Sequence, residues 1–319
     1  GLTDTRYFKA RVKSGVCAAA NSNTVTILVD PASVGGTLSG SATVCTQVNS
    51  TKLNLSNYTG VVVKWQSSTD SSFTVATDII DTRDSIIVSN LTATTYYRAV
   101  VQSGVCSIAN SSFATVTVSP ATVAGTATGD TTVCASSNSS VITLNGSVGS
   151  IQWQVSSDNS SFTAISGATN ATYTASGLTA TRYYRARVKS GVCDSLFSNV
   201  VTIAVDPASN AGTLSGSTTV CTGTNTSVLT LNGSVGTIQW ESSLNNSTFT
   251  PIADSVRAAF TAIDLGATTY YRAVVTSGVC APATSNTATV TVSPATVAGT
   301  ASGDTLSLIH ISEPTRRRG

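Results

Sequence analysis

Short runs of alternating apolar and polar residues follow one another along this chain, each closed by turn-forming residues. Between 121 and 207, residues 141–145 read as a strand, and 146–149 as the turn that ends it. In the next run Ile151, Trp153 and Val155 fall on one face, with Gln152 and Gln154 on the other. A serine-rich turn around Asp158 precedes two shorter strands, 162–165 and 172–175. Leu178 leads into the long run 183–188, Ser190-Gly191-Val192-Cys193 turns the chain, and 199–205 is the closing strand before Pro207. Short strands with a turn signal about every ten residues predict a β-sandwich.

The same pattern returns with a period of 87 to 89 residues. Its marks are a T-V-C cysteine (Cys45, Cys134, Cys221), a tryptophan (Trp65, Trp153, Trp240), a Tyr-Tyr-Arg run from Tyr96, Tyr183 and Tyr270, an S-G-V-C turn ending at Cys106, Cys193 and Cys280, and a closing Pro120, Pro207 and Pro294. A period this long is a whole small domain, whereas single solenoid units repeat every 20 to 50 residues. The expected division is 32–120, 121–207 and 208–294 as three complete repeats. Residues 6–17 copy 182–193 closely, so 1–31 read as the last part of a truncated repeat. Residues 295–305 copy 121–131 and read as the start of another. Where T-V-C is due, the chain instead runs Leu306-Ser307-Leu308-Ile309-His310, and 306–319 resemble a translated sequencing-library adapter, a non-native tail. Pro120 and Pro207 leave little linker, so the repeats are expected to form a semi-rigid rod.

Comparing the copies assigns faces. Two and four residues after the second tyrosine stand Ala99 and Val101, Ala186 and Val188, Ala273 and Val275, which puts Tyr97, Tyr184 and Tyr271 in the core beside the three tryptophans. Tyr96, Arg98 and Val100 then point outward. Arg98, Arg185 and Arg272 form one outward cation per repeat, a candidate surface contact repeated for avidity. The alternative is that each lies over Tyr96 or its equivalent, or pairs with Gln66, Gln154 or Glu241 on the neighbouring strand.

Charge narrows the function. Of 17 basic residues three are Arg316, Arg317 and Arg318, and of 15 acidic residues one is Glu313, so 14 of each sign remain without the tail. A neutral surface argues against nucleic acid. No run of 18 apolar residues provides for membrane insertion. The single histidine, His310, lies in the tail, and no nucleophile–base pair or phosphate loop stands out, so no catalytic residue and no cofactor is expected. Asp130, Asp158, Asp206, Asp254 and Asp304 form no calcium-loop motif and read as turn residues, and no metal is expected. Asn54, Asn90, Asn138 and Asn246 begin N-x-S/T triplets, a weak glycosylation signal in a chain this rich in Asn, Ser and Thr.

Seven cysteines at fixed positions, with no C-x-x-C, predict disulfides and therefore a secreted or cell-surface chain. Two pairings fit the repeat. Within repeats, Cys45 joins Cys106, Cys134 joins Cys193 and Cys221 joins Cys280, leaving Cys17. Between repeats, Cys17 joins Cys45, Cys106 joins Cys134 and Cys193 joins Cys221, leaving Cys280. The first is preferred, because the S-G-V-C turn and the exit proline lie at opposite ends of the last strand, roughly 23 Å apart, and a disulfide needs Cα atoms within about 7 Å.

A tryptophan on a central strand, an L-x-x-x-x-Y-Y approach to a late strand and one cysteine pair per repeat resemble immunoglobulin or fibronectin III sandwiches. The fuller string, A-G-T-x-S-G-x-T-T-V-C, W-Q-S-S, L-T-A-T-x-Y-Y-R-A and S-G-V-C, is similar to the immunoglobulin-like repeats of large surface proteins of the Bacteroidetes group, over residues 1–305. The resemblance implies a non-catalytic extracellular stalk, adhesion or interaction module with an unknown protein or glycan partner. The alternative is a set of glycan-binding accessory modules of a secreted enzyme, which would need exposed aromatic platforms.

Overall fold

The computed structural model describes residues 1–302. The expectations for 303–305, Asp304, His310 and the adapter-like 306–319 lie outside the described residues. The described chain is all-β, and divides into one compact unit over residues 1–205 and a second from residue 206 onward.

In the first unit, residues 34–120 form a three-stranded sheet facing a six-stranded one. The smaller sheet orders Ser85–Ser89, Ser50–Ser56 and Thr37–Ser39; the larger runs Ala42–Cys45, Ala114–Ser119, Thr95–Gln102, Val61–Ser68 and Thr77–Ile79, with Ala109–Asn110 beside Thr95–Gln102. Residues 123–206 repeat this with the central strands Ser150–Ser156 and Arg182–Lys189, and the second unit repeats it with Thr237–Ser243 and Thr269–Thr276. The central register is constant: Trp65 lies opposite Ala99, Trp153 opposite Ala186 and Trp240 opposite Ala273. A small residue across from each indole leaves room for the ring to extend toward the facing sheet.

Each opening segment serves both sheets. Thr37–Ser39 pairs antiparallel with Ser50–Ser56; the chain then crosses at Gly40 (φ 106°), and Ala42–Cys45 pairs in parallel with the closing strand. A side chain at Gly40 would need a left-handed backbone and would run into the Lys52 carbonyl. Because this pairing is parallel, Cys45 ends opposite Ser119, at the exit end of its own domain. In the second unit Cys221 likewise ends opposite Ser293.

The three tryptophans are fully enclosed, and each indole N–H donates to a backbone carbonyl, of Arg83, Asn170 or Arg257. Tyr97, Tyr184 and Tyr271 are buried beside them, and burial pushes their hydroxyl pKa values up. The facing sheet contributes Leu53, Ile142 and Leu229, each with no exposed surface. One outward position differs from the alternation: Val100 is only 1% exposed. The pairing register shifts between Val100 and Val101, and an irregularity of this kind re-aims a side chain. Its counterpart Arg187, where the pairing is regular, is exposed.

Residues 1–31 carry two short hairpin pairings, Arg6–Phe8 with Val25–Ile27 and Arg11–Val12 with Ala20–Asn21. Phe8, Val12 and Val25 remain 50%, 64% and 56% exposed.

Candidate functional site

The feature most specific to this chain is the joint between successive repeats. The S-G-V-C turn holds its glycine at φ 50° (Gly104), 49° (Gly191) and 49° (Gly278), and the cysteine N–H donates back to the serine carbonyl of the same turn. This shape lets the turn sit against the closing residues of the repeat before it. A β-carbon on Gly104 would strike the Asp30 carboxylate, on Gly191 the Ser119 side chain, and on Gly278 the Asp206 carboxylate. Only glycine meets both the backbone and the space requirement.

Hydrogen bonds hold the seat. Asp30 Oδ2 accepts from Val105 N at 3.2 Å, and Asp206 Oδ2 from Val279 N at 3.0 Å. The hydroxyls of Ser33, Thr122 and Ser209, two residues past each closing proline, accept from the backbone N–H of Ser103, Ser190 and Ser277. The sulfur of Cys106 lies 3.4 Å from the Pro31 carbonyl oxygen, that of Cys193 3.3 Å from Pro120's and that of Cys280 3.2 Å from Pro207's.

Across this seat Cys45 and Cys193 form a disulfide, with Cα atoms 5.0 Å apart and a sequence separation of 148. Both expected pairing schemes are therefore corrected. Cys45 does not join Cys106, which is a free thiol, nor Cys17, also free; Cys193 joins neither Cys134 nor Cys221, and Cys221 is free rather than bonded to Cys280. Cys134 and Cys280 are also disulfide-bonded. The S-G-V-C turn and the exit proline of a repeat do lie at opposite ends, but the T-V-C cysteine sits at the exit end, opposite Ser119. Parallel pairing with the closing strand carries it to the exit, where the turn of the following repeat arrives.

Arg98, Arg185 and Arg272 are half-buried and engaged. Their Nε atoms donate to Gln66 Oε1 at 2.8 Å, Gln154 Oε1 at 2.9 Å and Glu241 Oε2 at 2.7 Å. Each guanidinium also stacks over a phenylalanine from the loop after the tryptophan strand: Phe73 at 4.3 Å, Phe162 at 4.1 Å and Phe249 at 4.1 Å. The aromatic partner is not the tyrosine two residues earlier. Tyr96 instead packs edge-on against Phe113.

An asparagine four residues after each T-V-C cysteine has a role that residue-by-residue reading missed. Asn138 Nδ2 donates to the carbonyls of Cys134 at 2.8 Å and Leu178 at 2.7 Å, while its Oδ1 accepts from Leu178 N. Asn49 and Asn225 make the equivalent bonds. This clamp ties the T-V-C strand to the approach of the tyrosine strand, and it occupies the amide that the N-x-S/T reading of Asn138 would need for glycan attachment. The constant Cys-to-Asn spacing was the available signal.

The aspartates serve turns and contacts. Asp158 Oδ1 accepts from the backbone N–H of Ser160 and Ser161, both at 2.8 Å, and those bonds, Ser161 first, hold its pKa below the ordinary carboxylate range. Asp130 Oδ1 accepts from Thr202 N at 2.8 Å.

A comparison with curated protein sequences gives no match. Among solved structures, a three-immunoglobulin-domain segment of titin in a Glu-to-Ala variant matches with a TM-score of 0.51 at 10% identity, over 82% of this chain and 99% of that one. The FN1–FN3 domains of chicken CNTN1 match at TM-score 0.28 and 14% identity, over 81% of this chain and 98% of that one. Immunoglobulin domains 1–5 of Sidekick-1 match at TM-score 0.37 and 13% identity, over 91% and 66% respectively. Identities this low speak to the fold alone, which is a tandem of immunoglobulin-like sandwiches. A family model matches residues 1–31, 34–120, 123–207 and 210–294, and by these four matches the chain belongs to the family described as a domain of unknown function, DUF8696.

Proposed function

We propose that this chain is a covalently jointed run of immunoglobulin-like repeats that acts as a stalk and interaction segment of a larger extracellular surface protein, in the manner of the Bacteroidetes arrays its motifs resemble. The observation that carries the reading is the disulfide between Cys45 and Cys193, which locks one repeat to the next instead of stapling each internally. A cross-joint bond suits a segment under tension, and such bonds persist in oxidising surroundings outside the cell. The rival glycan-binding reading loses its tryptophan platforms: Trp65, Trp153 and Trp240 present no ring face to solvent. The three arginines are likewise committed to Gln or Glu and Phe partners rather than held ready for a ligand.

Single-molecule pulling between the two termini tests the reading. In the oxidised chain the stretch between Cys45 and Cys193, a separation of 148 residues, should stay unextended at forces that unfold the sandwiches. Reductant should release roughly 500 Å of extra contour length, at about 3.4 Å per residue. Equal contour length in both redox states would overturn the role of the bond in carrying tension, and binding of the folded oxidised chain to a glycan panel would favour the rival.

A further inference from the structure

We propose that the outer face of the larger sheet in the 123–206 repeat binds an extended acidic peptide, with Arg187 and Lys189 taking two of its carboxylates. The surface is a sheet face, separate from the joint on which the stalk reading stands.

The tyrosine strand Arg182–Lys189 alternates across its sheet: Tyr184, Ala186 and Val188 are buried, while Arg185, Arg187 and Lys189 lie on the opposite side. Three cations thus follow one another at intervals of about 6.8 Å, two residues of strand rise. Their charges stand uncancelled. Arg185 Nε donates to a neutral amide, Gln154 Oε1, at 2.9 Å, and its guanidinium lies between two phenylalanine rings, Phe162 and Phe197, each at 4.1 Å. Arg187 and Lys189 are exposed, and among the described residues neither forms an ion pair or a side-chain hydrogen bond.

The neighbouring repeats lack this ladder. At the positions of Arg187 and Lys189 the first complete repeat has Val100 and Gln102, and the third has Val274 and Thr276. Other cations on those faces are neutralised, Lys64 by Asp78 and Arg272 by Glu241, each at 2.7 Å. The same sandwich therefore folds without the two charges, and packing does not account for them. The partial copy again carries Lys9, Arg11 and Lys13 at the three ladder positions, so the triplet belongs to alternate repeats.

A pocket of about 170 Å³ opens between Arg187, Lys189 and the facing residues 150–152. Gln152 Nε2 is spent on the carbonyls of Trp153 and Ile165, and Ser150 Oγ on that of Lys189. The donors that remain are a guanidinium and an ammonium, neither of which can accept a hydrogen bond, and such a set selects an anion. A guanidinium takes a carboxylate through two parallel N–H···O bonds, and an ammonium takes one as a point charge. Spacing then chooses among anions. Side chains two residues apart in an extended peptide share one face at the same pitch of about 6.8 Å, so Asp or Glu at alternate positions meets both cations at once.

The test uses the full oxidised chain and two labelled peptides of one composition, Thr-Glu-Thr-Glu-Thr and Thr-Thr-Glu-Glu-Thr, read by fluorescence anisotropy. The alternating peptide should bind several-fold more tightly than its isomer, and added salt should weaken it, because exposed charges are screened. Arg187→Val with Lys189→Thr installs residues that the third repeat already carries, and should lower the affinity about tenfold with thermal unfolding unchanged. In the third repeat, Val274→Arg, Thr276→Lys and Glu241→Gln together should create a second site for the same peptide. Equal affinity for the two isomers, no binding of the alternating one, or binding indifferent to the Arg187 and Lys189 substitutions would overturn the proposal. So would digalacturonate, which carries the same two carboxylates, binding more tightly than the peptide and losing its affinity with those substitutions, since the surface would then belong to an acidic glycan.

Discussion

Cys45 and Cys193 stand 148 residues apart in sequence, yet their Cα atoms are 5.0 Å apart, because parallel pairing brings the first to the exit of its own repeat just where the turn of the next repeat lands. Peptide mapping without reductant should therefore recover the Cys45–Cys193 cross-link and no Cys45–Cys106 peptide. On the chain-entropy model, closing a loop of this length contributes roughly 5 kcal/mol to the coupled stability of the two repeats. Cys45→Ser should leave both sandwiches folded while increasing protease cutting at residues 120–123. Unchanged cutting there would mean that the hydrogen-bonded seat alone fixes the joint.

The asparagine clamp predicts a large effect from one amide. Asn138→Ala removes two donated bonds and one accepted bond that link Cys134 and Leu178, leaving partly buried backbone groups without partners. A loss of about 2–3 kcal/mol in the stability of the residue 123–206 sandwich is expected from denaturant unfolding. A change below measurement error would show that water replaces the amide at no cost. Intact-mass analysis of chain secreted from a glycosylating host should also find Asn138 unmodified.

Acid should weaken the turn built on Asp158. Its folded pKa is depressed by the Ser161 and Ser160 N–H donors, so its contribution is fully present above the unfolded carboxylate value, near 4, and fades as pH falls toward the folded value. The third repeat makes the same turn with an uncharged group: Asn245 Oδ1 accepts from Ser247 N and Thr248 N. The melting-temperature gap between wild type and Asp158→Asn should therefore be largest at neutral pH and close on acidification. A gap independent of pH would show that the charge contributes nothing.

Backbone strain next to the T-V-C cysteines offers a stabilising change. Gln47 at φ 77° and Ser136 at φ 84° occupy the position that Gly223 fills at φ 105°. A side chain in the left-handed region costs about 1–2 kcal/mol, of which glycine's greater unfolded freedom returns roughly half. Ser136→Gly should raise stability by about 0.5–1 kcal/mol in thermal unfolding, and a drop would mean that the serine side chain makes up for the strain.

The repeat, the all-β class and the central packing were legible in the sequence, because local alternation sets which side of a strand is apolar and four copies of one pattern reveal which positions tolerate change. Trp153 opposite Ala186 needs no more than that. The Gln66 partner of Arg98 was among the expected ones, but its aromatic partner and the disulfide partner of Cys45 were not legible, for a different reason. Arg98 meets Phe73, supplied by a loop whose path depends on how the chain leaves the tryptophan strand. Cys45 meets Cys193 because the opening segment crosses between sheets at Gly40 and then runs parallel to the closing strand, which reverses the end of the domain at which that cysteine emerges. Strand direction within a sheet leaves no periodic trace in a single strand. Only the tertiary pairing decides it, and with it which cysteines come within bonding distance.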